Sequence, residues 1–215
     1  MKSEKTIVIW DFNGTILLDT HLCYEIANRM RMERSMEPIP TFEAYRAYFR
    51  FPVIEYYRDM GYTFETETYD DICEEFYRLY TEGFPFCPIR PGALDTVAML
   101  RKAGIKQILL SATAHGRLLE QTALYGLTDS FDAIIGSEND YAGGKADVAE
   151  RYLSENGIDP AQAVFIGDTD HDCDVARHVG GDCILLTGGN QNDDKLLSLG
   201  VPVLDDVQKL TELLL

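Results

Sequence analysis

The sequence lacks the features that would place it in several specialised classes of protein. No run of apolar residues reaches the roughly eighteen that a membrane-spanning helix needs, and the N-terminus has no apolar segment of signal-peptide length. The five cysteines are odd in number and scattered, with no C-x-x-C pair, so they indicate neither a disulfide framework nor a zinc site. We therefore expect a cytoplasmic protein that has no membrane partner.

Basic residues are also scarce. The 215-residue chain has 19 Lys and Arg residues against 36 Asp and Glu residues, which gives a formal net charge of −17. Such an excess of negative charge argues against a nucleic-acid backbone or an anionic membrane surface as a partner. A small anion can bind only where a metal, a lysine or a helix N-terminus supplies local positive charge. For the oligomeric state we expect a monomer or a weak homodimer.

The apolar pattern divides the chain into two regions. Between residues 22 and 86 there is no strong strand signal, and aromatic residues recur at helical spacing, as in Tyr45, Tyr48 and Phe49, which we interpret as packing between helices. Predicted strands and helices alternate from Pro91 onward, which predicts parallel strands and a doubly wound α/β sheet. The predicted elements are strands at 6–10, 107–110, 133–135, 163–166 and 183–186, and helices at 92–102, 116–125, 145–155, 174–179 and from 206.

The first strand belongs to this sheet although the helical block follows it in sequence. We therefore predict an α/β core formed by residues 1–19 and 88–215, with a helical insertion at residues 20–87. An insertion of this kind must move relative to the core to admit a ligand and then exclude water. The crossing points, residues 17–20 and 85–91, are the predicted hinges.

Four small polar clusters stand at or just beyond predicted strand ends, where ligands bind in open α/β sheets. Singly, each has a structural explanation, because Asn-Gly is a common turn and serine or aspartate often caps a helix. Their joint order is much harder to obtain by chance. The clusters are Asp11 with Asn13, Gly14 and Thr15; Ser111; Lys145 after two glycines; and Gly167-Asp168 with Asp172.

The order D-x-x-G-T, an apolar strand ending in Ser, then Lys, then G-D-x-x-x-D resembles the four motifs of the haloacid dehalogenase (HAD) superfamily. The insertion between the first two motifs is similar to the helical cap of that superfamily, and the pattern is most similar to its phosphoglycolate phosphatase-like branch. The resemblance spans essentially the whole chain. It implies a Rossmann-like core with a cap, a Mg²⁺ cofactor, and hydrolysis of a small anionic phosphorylated metabolite.

The resemblance also implies a role for each motif residue. Asp11 would be the nucleophile that forms an aspartyl-phosphate, and Thr15 would hold the loop that meets the substrate. Ser111 and the backbone N–H of Ala112 would bind a phosphoryl oxygen, while Lys145 would offset the charge of nucleophile and phosphate. The implied Mg²⁺ ligands are Asp11, the backbone carbonyl of Asn13, Asp168 and Asp172.

Asn13 departs from the family pattern, which has Asp two residues after the nucleophile. That Asp protonates the leaving oxygen and later deprotonates the attacking water, whereas an amide donates a hydrogen bond but cannot cycle a proton. Losing this help costs about 10²–10⁴ in rate, or roughly 3–5 kcal/mol of barrier, and poor leaving groups suffer most. The backbone carbonyl of Asn13 stays available to a metal.

Four explanations of Asn13 are open. The first is that the chain is a slow phosphatase suited to good leaving groups such as aryl or acyl phosphates, and the second is that another group supplies the proton, with His115 the nearest candidate in sequence. The third is that the enzyme cleaves a carbon–phosphorus or carbon–halogen bond. The fourth is that the protein binds a phosphate ester without turnover. A carbon–phosphorus cleaver of this superfamily would need a cap lysine, and residues 22–86 contain none. The retained nucleophile, lysine and motif-four aspartates argue against complete loss of activity.

The insertion is where the resemblance places substrate selection, and it contains seven arginines. Arg46 and Arg50 are one helical turn apart, so both can face a second anionic group of the substrate, for which a guanidinium is well suited. The alternative is that these arginines pair on a solvated surface with the fourteen acidic residues between 19 and 86. Arg90, at the return to the core, is either a phosphate neighbour or a surface residue.

Overall fold

A computed structural model describes residues 5–137 and 144–215 of the chain. Six strands form one sheet: β1 (Ile7–Trp10), β2 (Lys106–Ala114), β3 (Ala133–Ser137), β4 (Ala163–Gly167), β5 (Asp182–Leu186) and β6 (Val203–Leu204). Their spatial order is β3-β2-β1-β4-β5-β6, and every neighbouring pair is parallel. The order changes direction between β1 and β4, which is the position where α/β sheets of this kind bind ligands.

The central strands are apolar because helices cover both faces of the sheet. In β1, Val8 and Trp10 belong to the apolar cluster on one face, whereas Ile7 and Ile9 belong to the cluster on the other. This alternation is the two-residue period of a strand. The Trp10 indole is satisfied inside the core, where it donates a hydrogen bond to the buried Gln107 side chain (2.8 Å).

Four helices lie between β1 and the rest of the sheet: α1 (Thr20–Glu33), α2 (Phe42–Tyr48), α3 (Val53–Asp59) and α4 (Tyr69–Gly83). They surround an apolar cluster of their own, which includes Met30, Tyr45 and Ile72. A capping box begins α4, since the Asp71 N–H donates to Thr68 Oγ1 (3.2 Å) and the Thr68 N–H donates to the Asp71 carboxylate (2.8 Å). All four helices lie within the predicted insertion, residues 20–87, which we call the insertion below.

Six further helices flank the sheet: α5 (Ala93–Lys102), α6 (His115–Leu124), α7 (Lys145–Glu155), α8 (Asp170–Val179), α9 (Asp193–Leu197) and α10 (Lys209–Leu214). Helices α5, α6 and α10 pack on one face, and α7, α8 and α9 pack on the other. The prediction of a doubly wound α/β sheet is therefore confirmed. None of the described helices combines the length and the apolar character that crossing a membrane requires.

The structure differs from the predicted elements at several boundaries. Strand β2 continues past Leu110 to Ala114, with a shift of register against β3 between these residues. Helix α8 begins at Asp170 rather than at residue 174, because Thr169 forms a capping box with Asp172. Elements β6 and α9 were not predicted, since two and five residues are too few to leave a periodic apolar pattern.

The two segments that connect the insertion to the core pair with each other. Leu17 and Ile89 form an antiparallel bridge, and the Leu18 N–H donates to the Pro88 carbonyl (2.9 Å). The chain therefore leaves and re-enters the core at neighbouring positions. That these segments act as hinges stays a prediction.

Candidate active site

The predicted motif residues converge at the carboxyl edge of the sheet. Asp11 follows β1 and Asp168 follows β4, the two strands between which the strand order changes direction. Ser111 lies in the last part of β2, and Lys145 begins α7. Because parallel strands bring their carboxyl ends to one side, residues far apart in sequence become neighbours there.

A buried lysine joins two of the carboxylates. Lys145 Nζ donates to Asp11 Oδ1 (2.6 Å) and to Asp172 Oδ1 (2.7 Å). Burial by itself lowers the pKa of a lysine, but the two carboxylates outweigh it and raise the pKa of Lys145. Burial also opposes ionisation of Asp172, and there Lys145 outweighs it and lowers the Asp172 pKa. Burial dominates at Asp11 and raises its pKa.

Asp168 is fully buried, and both of its carboxylate oxygens accept hydrogen bonds. Thr15 Oγ1 donates to Oδ1 (2.7 Å), and the Asn190 N–H donates to Oδ2 (2.5 Å). Gly14 has a φ of +78°, and a Cβ there would lie 2.2 Å from Asp168 Oδ2, so the turn requires glycine. Burial, with the charge of Asp172 adding to it, raises the Asp168 pKa to about 7. The Thr15 hydroxyl thus positions a carboxylate, which differs from its predicted place among the substrate-binding residues.

The three carboxylates fit a divalent cation. Asp11, Asp168 and Asp172 each offer an oxygen within 4.8 Å of the others. The raised pKa values of Asp11 and Asp168 reflect burial together with the negative charge of neighbouring carboxylates. The backbone carbonyl of Asn13 is linked to Asp168 through Asn190, whose Nδ2 donates to this carbonyl (3.2 Å) and whose N–H donates to Asp168; the carbonyl keeps a second lone pair. An all-oxygen set of this kind suits a hard divalent cation.

The Asn13 side chain is fixed by a hydrogen-bond network. Its Nδ2 donates to Asp19 Oδ2 (2.7 Å) and to the Tyr80 hydroxyl (2.9 Å), and its Oδ1 accepts from Thr113 Oγ1 (3.0 Å). Asp19 is buried, accepts further bonds from the Tyr80 hydroxyl (2.6 Å) and the Gly14 N–H (2.9 Å), and has its pKa raised by burial. An amide at position 13 therefore presents a donor to a carboxylate where an ionised Asp would present a second negative charge.

The predicted phosphate-binding segment follows the apolar part of β2. Ser111 Oγ accepts a hydrogen bond from the Thr113 N–H (3.1 Å) and lies 3.4 Å from Asn13 Oδ1, to which it donates. Ala112 lies between Ser111 and Thr113 in the sequence and lines both of the cavities described next. That Ser111 and the Ala112 N–H bind a phosphoryl oxygen stays a prediction.

Two adjoining cavities open on these residues. The smaller, about 80 Å³, we call the charged cavity; its lining includes Asp11, Ser111, Lys145, His171 and Asp172. The larger, about 170 Å³, we call the aromatic cavity; its lining includes Tyr45, Tyr56, Tyr57, Tyr69, Tyr77 and Tyr80. Both cavities are lined by Asn13, Phe49, Ala112, Thr113 and Asn190. The tyrosines come from the insertion, so the sequence-based interpretation of these rings as helix packing describes only part of what they do.

Arg46 does not line either cavity. It is buried, and its guanidinium donates to the carbonyls of Gly189 (2.7 Å) and Gln191 (2.6 Å) and pairs with Asp193. All of these partners belong to the core, so Arg46 joins α2 to the loop after β5. The hypothesis that Arg46 faces an anionic group of the substrate is not supported, because the guanidinium is engaged by these partners.

Arg50 also lines neither cavity. It pairs with Asp59 (2.6 Å) and Glu55 (3.6 Å) on a partly exposed surface of the insertion. Helix α2 ends at Tyr48, so Arg50 is outside the helix that carries Arg46 and the predicted common helical face does not form. The alternative stated above, pairing of cap arginines with nearby acids, describes Arg50.

Arg90 has a structural position that neither sequence-based alternative described. Its guanidinium donates to three backbone carbonyls, those of Gly14 (2.7 Å), Thr15 (2.7 Å) and Thr187 (3.0 Å). Two of these carbonyls belong to the loop that follows β1. Arg90 thus stabilises the loop that carries Asn13 by binding its backbone carbonyls.

Two histidines differ in their relation to the site. His115, the nearest candidate proton donor in sequence, accepts a hydrogen bond from the Gly136 N–H (3.2 Å) and lines neither cavity. His171, which was not predicted, lines the charged cavity and stacks on Phe51 of the insertion at 4.2 Å between ring centroids. Burial, helped by the charge of Lys145, lowers the His171 pKa and so disfavours the charged form of its ring.

Asp19, Tyr80 and Asn190 were also absent from the predicted site residues. For Asp19 a signal existed, since it follows the apolar run Ile16-Leu17-Leu18 and a carboxylate after such a run is unusual. Tyr80 had the spacing of a core residue of α4, and Asn190 lies in a loop with no pattern. Only the folded chain brings these three to Asn13.

The sequence profile of the haloacid dehalogenase-like hydrolase family matches residues 8–186, which is most of the chain and includes every motif residue described above. The chain belongs to this family. Its HAD fold is also seen in a haloacid dehalogenase-like hydrolase of Streptococcus pneumoniae, which is 19% identical, superposes with a TM-score of 0.83 and covers 99% of both chains.

Two curated relatives of this HAD-family chain are named phosphoglycolate phosphatase. The protein of Pseudomonas savastanoi pv. phaseolicola is 25% identical over 95% of this chain and 78% of its own length. The protein of Pseudomonas putida is 30% identical over 63% of this chain and 50% of its own length. These similarities support the resemblance to the phosphoglycolate phosphatase-like branch.

Proposed function

We propose that this HAD-family hydrolase is a phosphatase that cleaves a phosphate monoester through an aspartyl-phosphate on Asp11. The single observation that carries the proposal is the position of the Asp11 carboxylate, which lies at the carboxyl end of the central strand, lines a small cavity and is held by Lys145 at 2.6 Å. An Asp11 oxygen attacks phosphorus, the bond to the alcohol oxygen breaks, and water then releases inorganic phosphate. The names of the curated relatives agree with this reaction.

The residues around Asp11 would act by positioning and electrostatics, which supply most of the catalysis in phosphoryl transfer. Lys145 offsets the charge of the nucleophile and the phosphoryl group, and Ser111 with the Ala112 N–H holds a phosphoryl oxygen. Mg²⁺, held by Asp11, Asp168, Asp172 and the Asn13 carbonyl, would neutralise phosphate charge when bound. Thr15 keeps Asp168 oriented toward this position (2.7 Å).

Asn13 makes the proposed enzyme selective for leaving groups that need little protonation. Its amide nitrogen is engaged by Asp19 and Tyr80, and an amide has no proton to give to a departing alkoxide. Esters of weakly acidic alcohols would therefore react slowly. Esters of more acidic alcohols would form the aspartyl-phosphate with little loss. Hydrolysis of that intermediate, which is the same for every ester, would lack the Asp that deprotonates water.

The insertion would serve as a cap over the charged cavity. It contributes Phe49 and Phe51 to the lining, and Arg46 joins it to the core loop at 2.7 and 2.6 Å. Covering the site keeps bulk water from the aspartyl-phosphate. Opening at residues 17–20 and 85–91 would admit substrate.

The test is Mg²⁺-dependent release of phosphate from an aryl phosphate by the full chain. We expect turnover that chelation abolishes and that Asp11→Asn lowers by about 10³-fold or more. Asp174→Asn is the matched control, because Asp174 is an exposed aspartate on α8 that pairs with Arg177 at 3.4 Å. Intact mass is recorded for each sample, because deamidation of Asn13 before Gly14 would restore an acid.

Absence of turnover would favour the alternative function, a phosphate-ester binding protein. Asn13 is the observation that keeps this alternative in view. Absence of turnover even with Asp at position 13 would also direct attention to another bond type, such as carbon–phosphorus or carbon–halogen. Turnover that survives Asp11→Asn would contradict the proposed nucleophile.

A further inference from the structure

The aromatic cavity adjoins the charged cavity on the side of Asn13. Five residues line both cavities, so a ligand whose phosphoryl group lies near Asp11 can extend its remaining part past Asn13 into the aromatic cavity. In the proposed reaction, the resemblance places the residue that meets the leaving alcohol oxygen at position 13. The aromatic cavity is therefore placed to hold the alcohol part of the substrate.

The lining of this cavity is aromatic and carries no positive charge. Six tyrosines and two phenylalanines contribute to it, and no lysine or arginine does so within residues 5–137 and 144–215. Arg117 lies outside it, over the face of the lining residue Tyr77 at 4.1 Å from the ring centroid. The one acidic residue, Asp19, would repel a carboxylate or a second phosphate. Such a lining favours a flat, uncharged, apolar group.

The size of the cavity agrees with a single ring. Its volume of about 170 Å³ is close to that of an apolar cavity of roughly 150 Å³ known to bind benzene. Gln121 lines the same cavity, is 6% exposed, and its Oε1 accepts no hydrogen bond in the part of the chain that the structure describes. One donor on the ring of the ligand would satisfy this acceptor.

We propose that the substrate is an aryl phosphate monoester whose ring occupies the aromatic cavity. The inference rests on the proposed phosphatase function for the position of the phosphoryl group. Two unrelated features lead to the same class of substrate: the aromatic lining recognises the ring, and a phenolate leaves without the proton that Asn13 cannot supply. The carboxylate of phosphoglycolate finds no cation in this lining.

The experiment measures binding, so that it does not depend on turnover. Benzylphosphonate and phosphonoacetate, which are not phosphate esters, are titrated calorimetrically into the full chain with Mg²⁺ present. Benzylphosphonate carries the ring, and phosphonoacetate carries a carboxylate of the kind found in phosphoglycolate. We expect benzylphosphonate to bind at least about tenfold more tightly.

A pair of variants tests whether the aromatic cavity causes this preference. Gln121→Arg places a cation in the cavity and should weaken benzylphosphonate and strengthen phosphonoacetate. Leu124→Arg adds the same charge on the same helix, at a side chain that is 57% exposed, and should keep the preference of the unmodified chain. Unfolding curves show whether each variant is folded. If Gln121→Arg does not fold, the affinities of the unmodified chain for benzylphosphonate and phosphonoacetate decide whether the inference stands.

Equal affinity for the two phosphonates, tighter binding of phosphonoacetate, or no binding of either would overturn the inference. These outcomes are distinct from failure of the proposed function. Hydrolysis that depends on Asp11 without a preference for benzylphosphonate would remove only the inference about substrate class. A preference for benzylphosphonate without hydrolysis would remove the phosphatase function and leave the aromatic cavity as the binding site of an aryl ligand.

Discussion

The two cavities share five lining residues but are otherwise built from different parts of the chain. The charged cavity takes most of its polar residues from strand ends and helix starts of the core, whereas the aromatic cavity takes its rings from the insertion. In the proposed enzyme, the first would hold the phosphoryl group and the metal, and the second the group that leaves. The comparison teaches that the proposed reaction and the proposed recognition would be carried by separate regions that meet at Asn13.

The largest expected effect is at that meeting point. Asn13→Asp should raise kcat/KM for an alkyl phosphate by about 10²–10⁴-fold, because an introduced carboxyl close to Asp19 would hold a proton for the leaving oxygen. The kcat/KM for an aryl phosphate, which reports the steps up to the aspartyl-phosphate, should change less than about tenfold, since a phenolate needs little protonation. Steady-state kinetics on both esters measure the contrast. An equal gain in kcat/KM on both would show that position 13 does not act on the leaving group.

The second prediction concerns the charged cavity alone. Lys145→Met leaves the carboxylates of Asp11 and Asp172 without their buried counterion, so the free energy of unfolding in urea, without metal, should fall by about 3–5 kcal/mol. Lys195→Met is the control, because its ion pair with Asp170 is partly exposed and should be worth at most about 1 kcal/mol. Equal losses in the two variants would contradict the assignment of Lys145 as a buried counterion.

The third prediction separates the two arginines once expected to act together. Arg46→Met removes a buried guanidinium that donates to two core carbonyls, and should lower the free energy of unfolding by about 1.5–3 kcal/mol. Arg50→Met removes a partly exposed ion pair with Asp59, so its effect should stay below about 1 kcal/mol. Urea unfolding measures both. A larger loss in Arg50→Met would mean that the insertion is held to the core by other contacts.

The last prediction is a pH dependence. The Asp168 pKa of about 7 in the folded chain exceeds the value of about 3.9 for an unfolded chain. The folded state therefore holds a proton that the unfolded state has lost, and the contribution of Asp168 to stability falls as pH rises through this window, by at most about 1.4 kcal/mol per pH unit.

Urea unfolding measured at pH values between these two pKa values, with and without Mg²⁺, tests whether stability falls as pH rises. Without metal, the decline of stability with pH should be steeper in the unmodified chain than in Asp168→Asn. Added Mg²⁺ should reduce the decline, because it compensates the ionised carboxylate. A steeper decline in Asp168→Asn than in the unmodified chain would contradict the raised pKa.

Much of the core was predictable because its signals are local. The apolar run Ile7-Val8-Ile9-Trp10 is buried on both faces, and the polar residues after β1 and β4 can only gather at one edge of a parallel sheet. The departure of Asn13 from the Asp of the family pattern was also visible in the sequence. These inferences depend on residues that are adjacent in sequence or on a topology that strand–helix alternation dictates.

The rest depends on contacts between distant segments, which leave no local pattern. Tyr80 and Tyr45 have the spacing of core residues. That spacing is the same for a ring that packs against a helix and for a ring that lines a cavity, so it does not distinguish the two. The helix that carries Arg46 ends before Arg50, so the predicted common helical face of these two arginines does not form. Asn190 reaches Asn13 across 177 residues of sequence.

The paired linkers have a consequence for how such a protein can change. Because the Leu18 N–H and the Pro88 carbonyl are 2.9 Å apart, the segment between them begins and ends at one place on the core. A different helical segment with closely spaced ends could be exchanged there without altering the order of the sheet. The core with its motif residues could thus be kept through evolution, or in engineering, while the insertion, which we propose selects the leaving group, is replaced as a module.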